Sequence, residues 1–222
     1  MTAILDARTG LPADISTTTN PLDGGKIVGS TCVTDPNTGV KGFVTAPGAQ
    51  LVALDGGARA SYRAGHSFLL AANPTDVFVL QGSASKTVRI RRIVLSGFAA
   101  VTPGQFLWSF LKRSSANTGG TTSARAALPC DPNDAAASAL ATAYTANPSA
   151  LGTLVGTAGM RRMFFALLTR QNDRLVFEPR LDGKAYVLRG SSQFFCVNGA
   201  GAALPDPNTT LDIEIEWDED LS

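Results

Sequence analysis

Residues Thr210–Asp218 constrain this chain more than any other stretch. Leu211, Ile213, Ile215 and Trp217 alternate without a break with Asp212, Glu214, Glu216 and Asp218. Successive side chains of an extended strand point to opposite faces, so one face here is apolar and the other acidic. A helix would scatter the same apolar residues around its axis. The segment predicts a half-buried antiparallel strand, and hence a sheet with one covered face.

Shorter runs upstream have the same character. Gln50–Leu54, Ser67–Ala71, Val77–Gln81, Thr87–Ser96, Phe106–Arg113, Arg162–Thr169, Arg174–Glu178, Ala185–Arg189 and Gln193–Asn198 are rich in β-branched, aromatic or alternating residues. Turn signals such as Asn73-Pro74-Thr75-Asp76, Asn172-Asp173, Asp182-Gly183 and Gly190-Ser191 separate them. Short strands between regular turns predict a mostly β body, an antiparallel β-sandwich or jelly roll, over residues 51–222. One short helix is expected at most. Ala135–Tyr144 is its place, with Asn133 or Asp134 as cap and Asn147-Pro148 as stop, an irregular loop being the alternative.

Residues 1–50 differ. They are rich in Thr, Gly, Pro, Asp and Asn, with only short apolar pieces such as Ile27-Val28 and Phe43-Val44. Such a segment buries too little to order itself. It reads as an extended arm that lies on another surface, with Ile27, Val28, Phe43 and Val44 as its anchors.

Charge limits the partners. The 222 residues include 19 basic and 18 acidic side chains, a formal net charge of +1. A general electrostatic grip on nucleic acid needs a basic excess, so no direct nucleic-acid contact is expected. Met1–Gly10 lacks a basic stretch followed by an apolar one, and no apolar run reaches the ~20 residues of a membrane helix. Assembly in the cytoplasm and no membrane partner are the expectations.

Catalytic signatures are not found. The three cysteines, Cys32, Cys130 and Cys196, form no CxxC pair and read as buried or half-buried thiols. The sole histidine, His66, sits in no nucleophile motif and is expected on the surface or in packing. Gly119-Gly120, in the polar stretch Ser114–Ser123, is no phosphate loop, because Lys112 precedes the glycines and no helix start follows. That stretch reads as a flexible or partner-contacting surface loop. Same-face carboxylates along Asp212–Asp218 lie about 7 Å apart, a spacing two-carboxylate hydrolysis would permit. A row of like charges on one strand face reads better as a solvated or protected edge. No enzyme, cofactor or metal is expected.

Two features remain as binding candidates. Arg89, Arg91 and Arg92 form a basic cluster on one strand, with Arg89 and Arg91 on one face and Arg92 on the other. They would contact an acidic partner surface, unless they pair with Glu214 and Glu216. Trp108 and Trp217 would serve a carbohydrate platform only if exposed, and their strand positions favour the core.

The order of motifs also resembles a known group. Thr87–Gly97, Leu111–Thr121, Pro132–Ala136, Tyr144–Pro148, Leu151–Gly156 and Leu211–Trp217 together resemble a group of tailed-bacteriophage virion structural proteins. The resemblance spans roughly residues 50–218 and carries no functional residues. It implies a β-sandwich body and a place in the virion. A capsid decoration or cement protein, bound to the major capsid protein or another virion protein and self-associating as a trimer, is the expected role. Tail, neck or fibre component and carbohydrate-binding adhesion module are the alternatives.

Overall fold

The computed structural model describes residues 31–34, 41–44, 59–168, 173–178 and 186–221. The chain divides into two compact units, Met1–Gly56 and Gly57–Ser222. In the first, β1 (Thr31–Thr34) and β2 (Lys41–Val44) form an antiparallel pair in which Cys32 faces Phe43 and Thr31 faces Val44. Ile27, Val28 and the expected strand Gln50–Leu54 lie outside the described residues.

The second unit is all-β among its described residues. Its strands are β3 (Ala60–Leu69), β4 (Asp76–Gln81), β5 (Lys86–Ala99), β6 (Gly104–Arg113), β7 (Thr121–Arg125), β8 (Leu128–Pro129), β9 (Leu140–Ala146), β10 (Leu154–Leu167), β11 (Leu175–Phe177), β12 (Val187–Arg189), β13 (Phe194–Asn198) and β14 (Thr209–Leu221). They run β7-β9-β4-β13-β6-β10-β5-β14-β3-β8 in one mixed sheet, with β11 and β12 also paired to β5. The sheet is strongly curled. Its two halves are hydrogen-bonded into one at β10. Most of that strand pairs with β6, and Ala166–Leu167 pair in parallel with Phe98–Ala99 of β5.

The curl encloses one apolar core. Tyr62, Ile90, Ile93, Leu95, Ile213, Ile215 and Trp217 enter it from one half, and Phe78, Leu80, Trp108, Phe110, Phe195 and Val197 from the other. Each set recurs at every second residue except at one step of β5. There Glu216 faces Arg92 but Trp217 faces Ile90, so Arg91 is an extra residue in a β-bulge. The bulge lets Val88 and Ile90 share a face with Ile93 and Leu95. Near its end β5 passes Gly97, at φ 155°, where a Cβ would lie 2.2 Å from the Thr210 carbonyl oxygen. Only glycine fits that close approach.

The expected helix is absent. Ala135–Ala139 are irregular and Leu140–Ala146 form β9. Ala139, Ala141 and Ala143 are buried and the residues between them point away. Period-two burial against β4 outweighs the helical preference of alanine. The stretch 114–123 is mostly exposed, as expected of a surface loop, but its last residues, Thr121–Ser123, belong to β7 and pair with β9. The Asn117 side-chain amide donates to Asp76 and its carbonyl accepts from Gly152 N–H, so the loop is tied to the body.

Candidate interaction site on the charged face of the sheet

β14 lies between β3 and β5, so its acidic face is flanked by two strands. Arg63 of β3 places Nη2 3.2 Å from Glu216 and Nη1 3.9 Å from Glu214. Arg92 of β5 approaches the same two carboxylates at 3.8 and 3.7 Å. Arg91 Nε lies 3.3 Å from Asp218, whose other oxygen accepts from Ser61 Oγ at 2.8 Å. Arg89 grips Asp220 through Nε and Nη2 at 3.1 and 3.0 Å. The bulge at Arg91 corrects the expected division of the cluster, because all three arginines reach the same row of carboxylates. The basic patch is therefore paired within the body. Pairs that keep contact with water are each worth about 0–1 kcal/mol, and of these carboxylates only Asp218 is buried, so the ladder sets strand register more than it adds stability.

Glu219 behaves differently. Alternation puts it on the core side after Trp217, and it is 3% exposed. Its carboxylate accepts from Ser138 N–H, Ala139 N–H, Ser138 Oγ and Trp217 Nε1, and meets Lys86 Nζ at 3.2 Å. Burial pushes its pKa up, but the amides of Ala139 and Ser138 pull it further down, to a net value below the ordinary range. Sequence reasoning stopped at Asp218 and missed it. The signal was an acid at a position the alternation assigns to the core.

A second buried pair was also missed. Arg113 donates through Nε and Nη2 to the two oxygens of Asp76, at 2.7 and 3.0 Å. Asn117 and Asn198 donate to the same carboxylate, and Arg113 Nη1 donates to the Gly152 carbonyl. The arrangement fastens β4, β6, β13 and the 147–153 connection. Beside it Cys196 is fully buried, and burial holds its thiol well above the usual pKa. Cys130 is exposed, against the expectation of a buried or half-buried thiol.

His66 stacks on Phe68 at 5.0 Å between ring centroids, and Nδ1 accepts from Arg125 Nη1 at 3.0 Å. Burial, and then the Arg125 charge, lowers its pKa. Trp108 and Trp217 are both fully buried, so neither is available as a carbohydrate platform. Phe43 and Val44 sit in β2 opposite Cys32 and Thr31, and their side chains lie outside the described residues. Among the described residues no three His, Cys, Asp or Glu side chains are placed to share a metal ion. Comparison with protein-family models, curated proteins and solved structures returns no match for this chain.

Proposed function

We propose that the chain is a structural protein of a tailed-bacteriophage particle, a capsid decoration protein that binds the outer shell and stabilises it. The observation that carries this reading is how the body uses its charges. Arg63, Arg89, Arg91 and Arg92 are all spent on carboxylates of β14. Asp76, Arg113 and Glu219 are spent on fastening loops and strands. This is the chemistry of a scaffold. The motif order set out above supports the virion setting.

Within this reading the curled sheet serves as a β-sandwich body. One layer is β5, β14 and β3, and the other is β6, β13, β4 and β9. Residues 1–50 are the arm that spans neighbouring capsid subunits, since an extended segment covers much surface at modest affinity per unit area. Self-association as a trimer covers remaining strand edges. Deleting residues 1–50 is expected to leave a body with cooperative unfolding that no longer sediments with purified particles. Sedimentation equal to that of the full chain would overturn the role of the arm. Hundreds of copies per particle would fit decoration, and about a dozen would place the protein in the tail or neck instead.

A further inference from the structure

The ladder on β14 is incomplete at one end. Glu216 faces Arg63 and Arg92 in register, Glu214 shares the same two guanidinium groups, and Asp218 and Asp220 have Arg91 and Arg89. Asp212 faces Ser67 on β3 and Ser96 on β5. Its carboxylate has no ion pair or hydrogen bond among the described residues. Three carboxylates, Asp212, Glu214 and Glu216, thus meet two guanidinium groups, and one negative charge stays uncompensated.

That position is concave. A depression of about 320 Å³ opens over it, lined by His66, Ser67, Val94, Ser96, Asp212, Ile213 and Glu214. The neighbouring β3 position on this face is Gly65, which has no side chain to fill it. Arg125 Nη1 donates to the His66 ring, whose pKa burial and that charge lower. The lining combines an acceptor carboxylate, two hydroxyls and the apolar surface of Val94, while Ile213 turns its side chain into the core. Lysine and arginine match that set, since both lay an apolar stem along a surface and keep the cationic head at its end.

We propose that this depression receives a single lysine or arginine side chain presented by a partner protein. The incoming cation takes the place that Arg63 and Arg92 hold one row along. Asp212 accepts from its head, and Ser67 and Ser96 flank it. An exposed pair adds little affinity alone, so the contact works by fixing register and orientation on the partner while surrounding area supplies the rest. The proposal concerns this face only and is independent of the particle reading.

The test is a ¹H–¹⁵N NMR titration of the full chain with acetyl-arginine-amide at constant ionic strength. Acetyl-citrulline-amide serves as the uncharged isostere, and calcium chloride and sodium chloride as simple cations. Saturable shifts confined to Ser67, Ser96, Asp212 and Glu214, with Kd on the order of 10 mM, are expected for the arginine probe only. Asp212→Asn should weaken them about tenfold or more. Ser96→Lys should complete the ladder within the chain and abolish them without lowering the melting temperature, which keeps the test valid if the first variant is unstable. The proposal fails if no local shift appears by ~100 mM, a concentration well above that Kd. It also fails if citrulline or sodium acts equally, if calcium is the tighter ligand, or if Asp212→Asn binds like the parent.

Discussion

Single residues decide whether this body holds together. The Asp76–Arg113 pair is almost fully buried, so removing one partner strands a charge away from water. Asp76→Asn or Arg113→Met should each cost roughly 3–5 kcal/mol in urea unfolding, and the double variant less than the sum of the two. Gly97→Ala forces a side chain onto the Thr210 carbonyl and should cost roughly 2–4 kcal/mol by the same measurement. These two sites show where sequence reading ends. Asp76 reads as a turn residue after Asn73-Pro74-Thr75, and Arg113 as one more surface base after Lys112. Each has its local meaning, but the pairing depends on β4 and β6 being brought to either side of β13. Trp108 and Trp217 were legible as core residues, because their burial follows from alternation alone.

At the scale of elements, strong periodicity was legible and weak periodicity was not. β4, β5, β6, β13 and β14 were all expected within a few residues of their observed bounds. β9 was not, because small alanines carry a weak apolar signal while their helical preference is strong. β7 was missed for a similar reason, since Thr121–Arg125 holds no large apolar residue. The turn between β5 and β6 depends on one carboxylate. Asp206 accepts from the N–H groups of Thr102, Asn208 and Val101, which holds its pKa below the ordinary carboxylate range. Its folded pKa is thus lower than its unfolded one, and the unfolded chain binds more protons between the two. Its stabilising effect is complete above the unfolded value and is lost as pH falls through the folded value. Unfolding followed from pH 6 to pH 2 should show a flatter acid limb for Asp206→Asn than for the parent, and Glu219→Gln should flatten it in the same direction.

For the molecule as a whole, the ladder on β14 predicts a modest response to salt. Raising sodium chloride from 0.1 to 1 M screens the water-facing pairs, acts less on buried Asp218 and leaves Asp76–Arg113 intact, so the loss should stay within about 1–2 kcal/mol. A larger fall in the urea midpoint would mean that the exposed ladder contributes more than strand register. The position of β14 has a further consequence for synthesis. It is the last strand of the body in sequence, yet it sits between β3 and β5, which are made more than a hundred residues earlier. During translation β3 and β5 must wait, each with an unpaired flank, until Leu221 has cleared the ribosome. The body therefore closes only once β14 is available. Nascent chains stalled before Thr209 should be protease-sensitive across the whole of this half-sheet, however much of the other half has already formed.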